Sequence, residues 1–344
     1  SEVWLLKSEI DAALRHGKRW MRARRRATGI WLRPARAKVM PQPLGVVGIV
    51  APWNYPLLLS MGPLIGALAA GNRAMIKMPE LTPRTSALFA QLIAQTFAHD
   101  HVSVVTGDAA VGASFCALAF DHLLFTGSTA VGREVMHAAA GNLTPVTLEL
   151  GGKSPAIVGP RARFDRAVDS IVAGKTLNAG QTCIAPDYVL VPRERVAAFI
   201  ERARARVAKL YPDLRHNRDY TSIVSERHYE RLMRLADEAV RAGAQLHPLS
   251  DAPNDAARRV FAPCIVTNAP EDSAIMREEI FGPLLPLVLY DTLDEAIRYI
   301  NARERPLALY VFDEDRSNLE RVLRSTVSGG VAVNETLLQI ACKG

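Results

Sequence analysis

The sequence predicts a doubly wound α/β protein, a parallel sheet wrapped by helices and followed by a second α/β unit. Three observations carry that expectation. Short apolar runs alternate with helix-length segments from residue 44 onward, the pattern of βαβ units rather than of hairpins. Turn formers such as Gly71-Asn72, Gly107 and Gly151-Gly152 punctuate the segments. At 344 residues, with 49% apolar and 22% charged residues, the chain has the length of about two domains. Its composition is that of an ordinary globular protein, able to bury a core without metal or disulfide help.

Taken in order, residues 1–26 read as an arginine-rich helix that stops before Thr28-Gly29. Residues 30–43 hold Pro34, Pro41 and Pro43 between extended pieces and suggest an edge or bridging segment. Residues 46–50 form a buried-type strand, followed by the turn Ala51-Pro52-Trp53-Asn54 and a helix that ends at Gly71-Asn72. Strands at 74–77, 102–106 and 122–125 then alternate with helices at 82–97 and 130–139. In 145–150 the apolar Val146, Leu148 and Leu150 alternate with Thr147 and Glu149, so Glu149 faces away from the core.

After Gly151-Gly152 a second set begins with a strand at 155–158. Helices at 164–177, 193–210, 226–242, 292–303 and 316–325 alternate with strands at 187–191, 285–289, 307–312 and 331–333; 212–220 and 249–259 read as loops. The expected division is a helix and bridging segment over 1–43, one domain over 44–150 and another over 151–340. The chain starts at Ser1 and stops at Gly344 after Ala341-Cys342-Lys343 with no element visibly completed there. A fold truncated at both ends is therefore expected.

Charge excludes less than it first suggests. The net charge is +7, but residues 1–40 alone carry eleven Lys and Arg against three acids, leaving the other residues at −1. No aromatic-studded basic groove accompanies that run, so a solvated or interface-lining face is expected and no nucleic-acid partner. The longest apolar stretch, 56–70, falls short of the roughly 20 residues a membrane span needs and contains Gly62 and Pro63. No membrane association is expected. Cys116, Cys183, Cys264 and Cys342 lie far apart with no C-x-x-C pair. No metal site is expected, and a reduced, cytoplasmic setting fits.

Several residues could carry chemistry. Cys183 follows Asn178-Ala179-Gly180-Gln181-Thr182, a glycine-and-polar loop, although a lone cysteine is more often an inert core thiol. Cys116 and Cys264 are read as core thiols outright. Glu149, outward-facing just before a Gly-Gly pair that admits another group to the backbone, is either a general base or a solvated strand residue. Asn54 sits between Pro52 and Pro56, where its amide could cap the next helix or donate to an oxyanion. Gly127-Ser128-Thr129-x-x-Gly132 forms a strand–turn–helix whose helix N-terminus suits a phosphate. Lys77 and Glu80 end another strand at the same edge.

Together these motifs resemble one family. Pro52-Trp53-Asn54, Lys77-x-x-Glu80, Phe125-Thr126-Gly127-Ser128-Thr129-x-x-Gly132, Leu148-Glu149-Leu150-Gly151-Gly152-Lys153, Gly180-Gln181-Thr182-Cys183 and Glu278-Glu279-Ile280-Phe281-Gly282-Pro283 follow the order and spacing of the aldehyde dehydrogenase superfamily. The resemblance runs from about residue 29 to 340. It is strongest to bacterial coniferyl-aldehyde dehydrogenases, near the class 3 branch.

The resemblance implies a Rossmann-like cofactor domain and a catalytic domain. It implies NAD-dependent oxidation of an aldehyde to its acid, with Cys183 as nucleophile, Asn54 as oxyanion donor and Glu149 as the base for deacylation. It places the cofactor against Lys77, Glu80, Gly127, Ser128, Gly132, Leu150, Glu279 and Phe281. Glu80 would repel a 2′-phosphate, so NAD is expected, with NADP as the alternative. An aromatic, coniferaldehyde-like substrate is implied, while Tyr55, Thr182 and Ile184, the expected tunnel residues, leave medium-chain aliphatic aldehydes open. A homodimer or homotetramer is implied for the full family chain. Rival readings are a non-catalytic or regulatory fragment of the same fold and a CoA-acylating aldehyde dehydrogenase; Glu149 argues against the latter.

Overall fold

The structure is a computed structural model that describes residues 2–341; Cys342 lies outside them. The chain divides between Leu150 and Gly151 into two compact units. In the first, α1 (Glu2–Trp20) precedes a two-stranded antiparallel ribbon of β1 (Arg24–Arg26) and β2 (Ala37–Val39). The expected helix over 1–26 therefore ends six residues early. Arg24 to Arg26 have good intrinsic helix propensity, but they are paired in register with 37–39 and stand exposed. Glu2 of α1 accepts a hydrogen bond from the Leu58 N–H at 2.8 Å.

Next come β3 (Val46–Val50), α2 (Leu58–Ala69), β4 (Arg73–Lys77), α3 (Pro83–Thr96), β5 (Val102–Val105), α4 (Ala109–Cys116), β6 (His122–Gly127), α5 (Thr129–Ala140) and β7 (Val146–Leu150). The five strands β3 to β7 form one parallel sheet in the order β5-β4-β3-β6-β7. The first strand is thus central, and the chain winds outward from it in both directions. Ile49 and Ile76 are fully buried on neighbouring strands, each worth about 1.5–3 kcal/mol of apolar burial. They pack with Leu64, Met78 and Phe89.

The second unit contains β8 (Pro155–Val158), α6 (Phe164–Thr176), β9 (Tyr188–Pro192), α7 (Val196–Leu210), α8 (Glu226–Arg241), β10 (Gln245–Pro248), β11 (Cys264–Thr267), α9 (Ala274–Arg277), β12 (Leu284–Tyr290), α10 (Leu293–Asn301), β13 (Ala308–Phe312), α11 (Arg316–Ser325) and β14 (Gly330–Val333). Its sheet runs β10-β11-β12-β9-β8-β13-β14, parallel except for the edge strand β10. β8, β9 and β13 are buried along their whole length, as parallel strands covered on both faces must be. Three elements, β10, β11 and α9, have no counterpart in the expectation from periodicity. All are four residues long.

Candidate active site

In the first unit the candidate residues share one edge of the sheet. β3 and β6 lie side by side, and the chain leaves them toward opposite ends of the sheet, so a crevice opens beyond their carboxyl ends, where such folds bind ligands. Register fixes who meets whom there. Val50 pairs with Lys77 on one side and Phe125 on the other, and Thr126 pairs with Glu149. Asn54 follows β3, Gly127 ends β6 with Ser128 directly after it, and Glu149 and Leu150 end β7. Lys77, Asn54, Ser128 and Glu149 are therefore carried by four adjacent strand ends.

Each has a local reason for its place. α2 begins at Leu58 with no side-chain cap from Leu57, and its first N–H donates to the Glu2 carboxylate at 2.8 Å. Asn54 itself is half-buried. Lys77 is 3% exposed; its Nζ donates to the Met78 carbonyl at 2.8 Å and lies 3.7 Å from the exposed Glu80 carboxylate. Ser128 caps α5, its hydroxyl oxygen accepting from the Val131 N–H at 3.4 Å. The hydroxyl proton is left to donate elsewhere, and Ser128, Thr129 and Ala130 are exposed. An open helix N-terminus of this kind fits a dinucleotide's pyrophosphate. Gly132 adds to the fit: a β-carbon there would lie 2.8 Å from Leu150 Cδ2, so α5 packs closely onto the Leu150 side chain of β7. Glu149 is exposed.

In the second unit Cys183 sits at the end of a loop in an unusual backbone state. Asn178 and Ala179 both have φ near 51°, and Gly180 follows at φ 74°. Left-handed alanine is a strained state that persists only where the surroundings impose it. Here Gln181 imposes it, donating to the carbonyls of Asn178 at 3.0 Å and Ser222 at 3.2 Å while accepting from the Val224 N–H at 2.9 Å. A side chain at Gly180 would collide with the Gly282 carbonyl, so this loop lies directly against the Gly282 backbone. A turn closed by the Ala185 N–H on the Thr182 carbonyl holds Cys183 half-buried. The Tyr310 hydroxyl donates to the Ile184 carbonyl at 2.6 Å and accepts from Gln339 at 3.0 Å, pinning the peptide just after the thiol. Burial pushes the Tyr310 phenol up to about 12, so it stays a donor.

The other two cysteines within the described residues, Cys116 and Cys264, are buried, and burial raises both thiols, Cys264 to about 11. They are core thiols, as expected. Glu279 explains the glycine pair. Its carboxylate lies where a Gly151 side chain would be and meets the Gly152 backbone N–H. Burial first, and then the Asp187 charge, raise the Glu279 carboxyl to about 7. Phe281 is half-buried and left-handed at φ 48°.

One group in this unit was not singled out by its sequence. Lys175, in the last turn of α6, is 2% exposed, and its Nζ has no hydrogen-bond partner among the described residues. Burial lowers it to about 8, with Asp187 only partly offsetting that. The unfolded chain holds this proton up to about pH 10.5, so between pH 8 and 10.5 it binds more protons than the folded chain. Stability should therefore rise with pH in that window, and below pH 8 the full penalty, about 3 kcal/mol, is present. Lys175→Met, close in shape and uncharged, is expected to raise the urea midpoint at pH 7 and flatten the rise above pH 8. A lower midpoint would mean that the ammonium is held more favourably than its surroundings imply.

The fold is that of an aldehyde dehydrogenase. Residues 3–342 match the aldehyde dehydrogenase family, and the chain belongs to it. A probable coniferyl aldehyde dehydrogenase of Pseudomonas aeruginosa is 52% identical over 332 residues, covering 96% of this chain and 69% of that protein. A coniferyl aldehyde dehydrogenase of Pseudomonas sp. strain HR199 is 50% identical, covering 89% and 64%. Among solved structures, the substrate-bound state of Staphylococcus aureus AldH superposes with a TM-score of 0.92 at 39% identity, covering 99% of this chain and 73% of that one. No helix among the described residues is long and apolar enough to cross a membrane.

Proposed function

We propose that the protein oxidises an aromatic, coniferaldehyde-like aldehyde to the carboxylic acid, with residues 44–150 holding NAD and residues 151–340 supplying the nucleophile. The observation that carries the reading is the Cys183 loop. Its backbone is left-handed through three residues, fixed by Gln181 and Tyr310, and it presents a half-buried thiol in a chain of this family. The relatives named for coniferyl aldehyde support the substrate class. Scattered cysteines support a cytoplasmic setting, and the segment 1–43 is assigned to a homodimer or homotetramer interface.

In this reading the Cys183 thiol loses its proton to water, the thiolate adds to the aldehyde carbon, and the carbonyl π electrons move to oxygen. The Asn54 amide and the Cys183 N–H hold that oxyanion, an interaction stronger in the transition state than in the aldehyde. NAD, when bound, supplies the acceptor for the hydride that leaves the carbon. Collapse of the adduct leaves a thioester on Cys183. Glu149 then takes a proton from water, hydroxide adds to the thioester carbon, and the acid departs with return of the thiol.

For the cofactor, the Ser128 proton and the α5 N-terminus would meet the pyrophosphate. Lys77 and Glu80 would hold the adenosine ribose, and Glu279 and Phe281 the nicotinamide half. Glu80 repels a 2′-phosphate, favouring NAD over NADP. The test is NADH absorbance with coniferaldehyde, benzaldehyde, hexanal and acetaldehyde, with and without CoA. A CoA-independent signal, larger for the aromatic aldehydes, is expected. A signal that requires CoA would overturn the hydrolytic step, and a preference for hexanal would overturn the substrate class.

A further inference from the structure

The segment Glu278–Glu279–Ile280, between α9 and β12, is held by charged side chains from three distant places in the second unit. Lys153 gives its ammonium protons to Asp187 Oδ2, to the Ile275 carbonyl at 2.8 Å and to the Glu278 carbonyl at 3.0 Å. Asp187 uses its other oxygen to accept the Ile280 N–H at 2.9 Å. Arg231, from α8, donates through Nη1 to the Glu279 carbonyl at 3.1 Å and through Nη2 to the Ile280 carbonyl. Three consecutive carbonyls and one N–H are thereby fixed by three side chains, with Lys153 and Asp187 12% and 4% exposed.

A buried ion pair is poor value as a stabiliser, because desolvation offsets the attraction. What this one does is geometric. Phe281, immediately after the held peptides, sits at φ 48°, a state that needs an over-determined setting. Glu279 is kept over Gly151-Gly152 although burial raises its carboxyl. Arg231 suits the task because its planar fork can reach two successive carbonyls, which a lysine cannot.

We propose that Lys153, Asp187 and Arg231 are positioning residues, a clamp that presents Glu279 and Phe281 to the nicotinamide half of the cofactor. This rests on the reading above that Glu279 and Phe281 hold that half. The clamp's hydrogen bonds to residues 278–280 all go to backbone, and Arg231 also lies 3.9 Å from the Glu278 carboxylate, so it acts on where Glu279 and Phe281 stand and not on the residues assigned to the adenosine half.

The experiment is calorimetric binding of NAD and of ADP-ribose, which lacks only the nicotinamide, to the wild-type chain, Arg231→Lys, Arg231→Met and Asp187→Asn. The ratio of the two dissociation constants isolates the nicotinamide half. Wild type is expected to prefer NAD. In Arg231→Met and Asp187→Asn that preference should fall about tenfold while ADP-ribose binding stays within about twofold. Arg231→Lys, which keeps the charge and loses the fork, should resemble Arg231→Met. An unchanged ratio, a parallel loss of both ligands in a folded variant, or full rescue by lysine would overturn the clamp. A variant that does not fold would be replaced in the comparison by Arg231→Lys, the mildest change. If wild type binds both ligands equally, the assignment of Glu279 and Phe281 fails instead, and the clamp falls with it.

Discussion

Cys183→Ala is expected to reduce NADH formation at least about 10⁴-fold while leaving NAD affinity within about twofold. The size follows from covalent catalysis: without the sulfur there is no tetrahedral adduct, and a hydride does not leave a neutral aldehyde carbon at a useful rate. The selectivity follows from the proposed roles: Lys77, Glu80 and Ser128 are assigned to the adenosine half and the pyrophosphate, and Glu279 and Phe281 to the nicotinamide half, whereas Cys183 is assigned to the aldehyde. The substitution should also fold. Cys183 is half-buried, and Gln181 and the Tyr310–Ile184 hydrogen bond hold the loop on either side of it. Stopped absorbance at the NADH band, with NAD binding measured in parallel, checks both halves. Retained turnover would remove Cys183 as nucleophile. Loss of NAD binding would mean that the loop helps to form the cofactor site.

How much of this was legible beforehand depended on range in sequence. The parallel sheet of the first unit followed from βαβ spacing, because each parallel crossover needs a helix between its strands, and 46–50, 74–77 and 122–125 all proved to be strands of one sheet. The strand ends bearing Asn54, Lys77, Ser128 and Glu149 followed with them. The arginine run at 24–26 misled because propensity is local while the pairing of Arg24 to Val39 is not. β10 carries a proline and sits at a sheet edge, where periodicity says little.

The Gly151-Gly152 pair was legible as a place of close approach, but the approaching group, Glu279, lies more than a hundred residues away. Lys153, Asp187 and Arg231 were opaque for a related reason. Their partners are mostly peptide groups, and any residue type supplies those, so nothing in the partner segment announces them. Lys175 looked like an ordinary cation in a helix's last turn, favourable to the dipole. Only the packing shows that it is sealed from water.

Glu149→Gln carries the second large effect, a steady-state rate lower by about 10²–10⁴, the usual contribution of a general base. The first turnover should survive. In the proposed mechanism thiol addition and hydride transfer use Cys183, Asn54 and the bound cofactor, so an NADH burst close to one equivalent per active site should precede the slow phase. The amide is nearly isosteric with the carboxylate and takes no proton from water, so the thioester should accumulate and be visible by mass as an acyl group on Cys183. Structure limits the side effects. Glu149 is exposed at the end of β7 and pairs with Thr126 through its backbone, so the substitution leaves register and core untouched. Loss of the burst along with the steady state would show Glu149 acting before deacylation, in readying the thiol. An unchanged steady state would show that another group activates the water, and Glu279, whose carboxyl burial raises to about 7, would be the next residue to replace.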